Sequence, residues 1–272
     1  MSARHLALSP FASSSLAVLA LLFTFAAPAH ADQPRKSEFG GDLLYGNLDL
    51  PIVGSASLIG LEVHGTFLVT PGLTLGGRLP IAHLSVNDNT GTSLGNLAAE
   101  LAYQTSARPR SHGWIEVSLS FPTAADSGDA GLAALTFADF WIPDRGKYAP
   151  NTTTVRGSYH HAFGAPEQQL LLSAGAQYLS VDGDDDRLLL PLVIGGRIAL
   201  GNRAAAIGRL TTLWDLDARN GEDDFYHVIE AGLELLQLGK GTGELVVYVP
   251  LDDRYRQDLN AWGLRFGFAA PI

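Results

Sequence analysis

Beyond Asp32 every apolar run is broken by Gly, Pro or charge before reaching the roughly eighteen residues that a membrane-spanning helix needs. In place of such runs, segment after segment alternates apolar and polar positions with period two, and turn residues punctuate the alternation. The pattern predicts strands near residues 41–50, 59–69, 73–81, 95–105, 113–122 and 152–162. Six more follow near 168–181, 188–200, 204–217, 225–237, 243–250 and 260–268. In lipid each backbone N–H and C=O needs an internal partner, so a chain of this kind can enter a membrane only as a closed sheet.

The faces of these strands differ in kind. One face carries sets such as Leu97/Ala99/Leu101/Tyr103, Ile115/Val117/Leu119/Phe121 and Leu245/Val247/Val249, with no charge among them. The opposite face carries five arginines, Arg78, Arg156, Arg197, Arg209 and Arg265. It also carries five glutamates, Glu62, Glu100, Glu116, Glu230 and Glu234.

Alternation alone does not say which face is outside, because a soluble barrel would bury the apolar one. Three features favour charge inside. Gly195, Gly263 and Gly267 crowd the charged face, as a confined interior requires. Tyr159, Tyr178, Trp214, Phe225 and Trp262 lie on the apolar face near strand ends, where an interfacial girdle would sit. The connections alternate between short ones (70–72, 106–112, 164–167, 201–203, 239–242) and long or acidic ones (87–95, 122–150, 182–187, 217–224, 252–258). Short periplasmic turns and longer outer loops characterise outer-membrane barrels. The expected fold is therefore all-β, a transmembrane antiparallel barrel of about twelve strands over residues 32–272.

The first 31 residues read as a cleavable export signal: Arg4, an apolar centre from Leu16 to Phe25, and Ala29-His30-Ala31 before Asp32. Removing them takes one of 18 basic residues, leaving 17 against 28 acidic ones and a formal charge of −11. That balance argues against a nucleic-acid partner. The chain has no cysteine, which excludes disulfides, thiolate catalysis and a lipoprotein anchor.

Motifs with catalytic or ligand associations have plainer readings. Gly239-Lys-Gly-Thr-Gly243 lacks phosphate-loop spacing and reads as a hairpin turn. Asp182-Gly-Asp-Asp-Asp186 lacks the Gly and Glu of a calcium loop and reads as a solvated acidic loop; divalent bridging to lipid phosphates is the sharper alternative. His160 and His161 point to opposite faces, so they do not share a metal. The sequence assigns no catalytic residue, cofactor or metal.

The stretch Gly72-Leu-Thr-Leu-Gly-Gly-Arg-Leu-Pro-Ile81, with Ser93-Leu-Gly-Asn-Leu-Ala-Ala-Glu-Leu-Ala-Tyr103, resembles the early hairpin of a bacterial outer-membrane family labelled "MetA-pathway of phenol degradation", often called simply a transporter. Asn96 stands where that pattern has an acidic residue. The resemblance covers about thirty residues and implies a barrel that moves small, including hydrophobic or aromatic, molecules.

The function expected is passive passage of small-molecule solutes, with outer-membrane lipids and the barrel assembly machinery as partners. A non-conducting structural or surface-interaction barrel is the alternative, and a barrel enzyme such as a lipid hydrolase is a third. The ten inward charges would form either a charge-filtering pore lining or an ion-paired plug. Within 122–150, Gly131 to Pro143 is too apolar to stand in water. It is expected to fold over or into the mouth as a lid anchored by Phe137, Phe140 and Trp141.

Overall fold

The computed structural model describes residues 37–272 apart from 51–53, 88, 109, 184, 219–224 and 253–258. The export signal read at 1–31 lies outside the described residues.

Thirteen strand segments form one antiparallel sheet: β1 (Glu38–Leu50), β2 (Gly54–Thr70), β3 (Leu73–Val86), β4 (Asn89–Leu94), β5 (Leu97–Arg108), β6 (Ser111–Phe121) and β7 (Thr152–Ala165). The remainder are β8 (Gln168–Val181), β9 (Arg187–Ala199), β10 (Ala204–Asp215), β11 (Phe225–Leu238), β12 (Gly241–Pro250) and β13 (Trp262–Pro271). Sequential strands pair as hairpins, and β1 closes the sheet by pairing with β13 from Glu38↔Pro271 to Asn47↔Trp262. β4 and β5 lie end to end along β3, interrupted at Gly95-Asn96, so together they make one stave of a closed, twelve-stave barrel.

The polarity follows from the alternation. Outward side chains such as Leu101, Val117, Ile194, Ile198 and Leu245 are 42–57% exposed. A run of about ten residues at about 3.3 Å each, tilted by about 40°, spans about 25 Å, the height of an apolar lipid-facing band. Tyr178, Trp214, Phe225 and Trp262 stand outward near the end of the barrel that carries the long connections. Phe39, Phe67, Tyr103 and Phe163 do so near the opposite end, where β1 begins, β13 ends and the tight turns lie.

Nearer the outer rim this polarity inverts. Along β3 the outward positions change from Leu79 and Ile81 to His83 and Ser85, while inward positions change from Arg78 to the buried Ala82, Leu84 and Val86. Inward Ala56 and Leu58 on β2 are likewise fully buried, opposite outward Ser55 and Ser57. The rim thus has the apolar core and wet exterior of a soluble barrel.

This inversion corrects the long loop expected at 87–95. The outward apolar signal stops at Ile81, but β3 continues to Val86, turns at Asn87 with φ 52°, and returns as β4. Asn tolerates that left-handed conformation better than most residues. The segment 122–150 also has structure: α1 (Gly128–Phe140) and a 3-10 helix (Ile142–Lys147). Leu132 to Leu135 are strong helix formers, and Ala133, Ala134, Phe137 and Ala138 fall on one buried side at helical spacing.

An arginine on the lipid face should therefore cost far more than one in the interior. Ile194→Arg is expected to lose about 2–4 kcal/mol of stability, and Ser118→Arg on the inner wall much less, as read from denaturant unfolding in lipid vesicles.

Candidate solute pathway and its inserted segment

The loop 122–150 runs down inside the barrel. Phe137, Phe140 and Trp141 are 0%, 1% and 4% exposed and belong to one apolar cluster with Leu44, Leu58, Leu84, Leu189, Leu213 and Tyr248, contributed by strands around the wall. Glycines of that wall form the seats. A Cβ on Gly46 would meet the Phe140 ring at 2.7 Å, one on Gly60 the Phe137 ring at 2.7 Å, and one on Gly263 the Trp141 ring at 3.1 Å. The Trp141 and Tyr248 rings pack at a tilt of 56° with centroids 4.0 Å apart, and the Tyr248 hydroxyl donates to the Phe140 carbonyl at 3.0 Å. The outer half of the interior is thereby filled.

Both ends of the inserted segment are held by one side chain. Asn96, fully buried where β4 gives way to β5, accepts from the N–H groups of Thr123 and Ala124 at 3.0 Å. Its Nδ2 donates to the carbonyls of Gly146 at 2.9 Å and Ala149 at 2.8 Å, and its backbone N–H donates to the Lys147 carbonyl at 2.6 Å. An amide supplies donors and acceptors together. A carboxylate at 96 would keep the first pair of bonds and face the two carbonyls with no donor.

Below the inserted segment lies a cavity of about 620 Å³ that reaches from Trp141, Gly146 and Lys147 down to the Gly239-Lys240 turn at the inner mouth. All ten charged residues expected inside line it. They form chains. Arg78 bonds Glu100 closely and Glu62 at 2.8 Å, and Lys147 of the inserted segment meets the other Glu62 oxygen at 2.8 Å. Arg265 lies 2.6 Å from Glu244 and 3.4 Å from Glu230, and Arg209 bridges the same two glutamates at 3.2 and 3.6 Å. Arg197 reaches Glu234 at 2.5 Å. Such pairing offsets the cost of charges withdrawn from water.

Several members escaped the sequence reading. Glu244 falls on the charged face by parity but is not among the ten charges expected to line the interior. Asp42 was hidden because the adjacent Leu43 and Leu44 blur the alternation of β1. Lys147 and Asn96 carry no periodic signal, since their roles depend on where the loop goes.

Asp42, Glu62 and His64 bring potential ligand atoms within 4.8 Å of one another. Both Glu62 oxygens are already engaged by Arg78 and Lys147, so the group is a node of the ion-pair chain. His160 faces the cavity, stacked on Trp114; His161 sits on the outer surface between Ser111 and Tyr159, as expected of neighbours on a strand. In the acidic outer loop a hydrogen bond from the Tyr178 hydroxyl lowers the pKa of Asp186, which keeps that carboxylate ionised; Asp184 lies outside the described residues.

The fold and lining define a closed, twelve-stave antiparallel β-barrel of the outer-membrane kind. No family profile matches the sequence, and no curated protein matches it. Solved structures do resemble it. An outer membrane channel from Pseudomonas putida F1 superposes with a TM-score of 0.61 at 13% identity, over 90% of this chain and all of that one. The NanC porin gives 0.54 at 8% identity over 86% of this chain and 100% of its own. The KdgM porin in complex with disordered oligogalacturonate gives 0.53 at 9% identity, over 86% and 99%. At these identities the likeness is one of fold.

Replacing Asn96 should release the inserted segment without opening the sheet. Asn96→Ala is expected to cost about 1–3 kcal/mol, the penalty for buried partners left unsatisfied. Protease added from outside should then cut within 123–150 much faster than in wild type, while the barrel keeps its heat-modifiable migration on gels.

Proposed function

We propose that this chain is an outer-membrane channel for the passive passage of small molecules, with residues 122–150 as its internal gate. The observation that carries the reading is the division of the interior. A charged, hydrated cavity rises from the inner mouth and stops at a segment seated on glycines and tied by Asn96 and Lys147. A barrel serving only as a structural support has no use for a lined cavity of that size. The resemblance of residues 72–103 to a transporter family supports the same reading, as does the fold shared with porins. Export and cleavage after Ala31 belong to the proposal.

The charge of the lining bears on what passes. Eight acidic side chains face seven Lys and Arg around the cavity, so the interior offers no strong field to either sign. The hydrophobic or aromatic preference implied by the family resemblance has a counterpart only in the outer half, where the wall is apolar and Leu132 and Leu135 of α1 stand 53% and 50% exposed. The inner half carries the charged and polar groups, interspersed with apolar side chains such as Leu171, Ile207 and Leu236. We therefore assign the channel to uncharged or weakly charged polar solutes.

The opposing reading, a permanently closed barrel, draws on the ion pairs and the apolar fill. Deleting 126–141 should separate the two, leaving a heat-modifiable barrel whose single-channel conductance in planar bilayers rises severalfold over wild type. Gly46→Leu, which crowds the Phe140 seat with the segment intact, should raise conductance in the same direction. Folded variants with conductance unchanged from wild type would refute the gate.

A further inference from the structure

The cavity wall is chemically two-sided. From β9 through β13 and on to β5 it carries the ion-pair chains; the β6–β8 side carries one acid and one base, Glu116 and Arg156, among neutral groups. Ser118, Ser120, Thr154 and Gln177 supply hydroxyls and an amide, and Trp114 and His160 stack with centroids 5.0 Å apart and planes at 7°.

Two of these neutral groups are buried with hydrogen-bonding capacity unused. The Thr154 hydroxyl and the Gln177 side-chain carbonyl have no partner among the described residues, although the two residues are only 4% and 3% exposed. Both lie beneath Gly146, where an added Cβ would come within 2.3 Å of Thr154 Oγ1 and 2.8 Å of Gln177 Nε2. On the roof of the same cavity the Trp141 indole N–H is likewise without a partner, at 4% exposure. Buried polar atoms are nearly always satisfied, so three on residues that line one cavity point to a ligand that satisfies them.

We propose that the β6–β8 wall beneath the gate is a binding subsite for a neutral polyhydroxylated ring, a sugar of one to three units. This deepens the channel reading and rests on it for the route by which solute arrives. The chemistry fits on each count. A sugar hydroxyl both donates and accepts, which matches a hydroxyl, an amide carbonyl and an indole N–H set around one space. The C–H face of a pyranose suits the aromatic surface of Trp114, and one acid with one base, Glu116 and Arg156, leaves this side of the wall no net charge to favour an acidic sugar. The volume lies within the roughly 300–1,000 Å³ of small-molecule sites.

The test is calorimetric titration of the full chain, refolded in lauryldimethylamine oxide so that no sugar headgroup competes, with maltotriose as the probe. Saturable binding is expected, weakened at least tenfold in a Thr154→Val/Gln177→Leu variant and in Trp114→Ala. The double variant removes unpartnered polar atoms, so it should unfold at the same or a higher denaturant concentration than wild type; lost stability with unchanged binding would mark the two residues as structural and overturn the proposal. Trigalacturonate binding more tightly than maltotriose would overturn the assignment to a neutral sugar. Conductance measured alongside keeps the two readings apart. A conducting gate-deleted barrel that binds no maltotriose overturns the subsite and leaves the channel, whereas maltotriose binding with no conductance upholds the subsite and overturns the channel.

Discussion

The β1–β13 ladder is the interaction on which the rest of this molecule depends. Without it the sheet would have two open edges, and in a hydrocarbon medium an unpaired row of N–H and C=O groups is not tolerated. With it, the first and last strands of the chain become neighbours from Glu38 against Pro271 to Asn47 against Trp262. Closure also creates the interior. Gly46 of β1 and Gly263 of the last strand both face the Phe140 ring only because the ring of strands is complete.

Within that ring two solvents meet one wall. At the height of the lipid the strands are apolar outside and charged inside; at the outer rim they are polar outside and apolar inside. The inserted segment is matched to the second regime, with Phe137, Phe140 and Trp141 at the level where the wall offers Leu44, Leu58 and Leu84. It passes into the first regime only at its end, where Lys147 reaches Glu62. The inserted segment is apolar where it must be held and charged where it meets the polar cavity.

The barrel was legible in the sequence because lipid outside and water inside impose a period of two on every strand, and a pattern repeated through the chain survives local exceptions. Strand ends were less legible for the same reason. Above the lipid the environments exchange, so the alternation that marks a strand over 73–81 gives out at His83 and Ser85 although the ladder continues through them to Val86. The inward charges could be assigned from parity alone. The contacts of the inserted segment could not, since Asn96, Lys147 and the glycine seats at 46, 60 and 263 act through pairs far apart in the chain that no local window contains. The apolar character of 131–143 did indicate that this stretch is covered, though not that it becomes a helix.

The origin of those glycine seats bears on how the molecule is made. Gly46 and Gly60 come from the first two strands and Gly263 from the last, so the cradle for the three aromatic side chains does not exist until the final strand has docked against the first. Contacts of such long sequence separation form late, because the entropy of closing the intervening chain must be overcome first. Entry of the helix into the lumen is thus a report on completed assembly. A barrel still lacking its last strand presents an unseated aromatic segment, and one that has closed hides it.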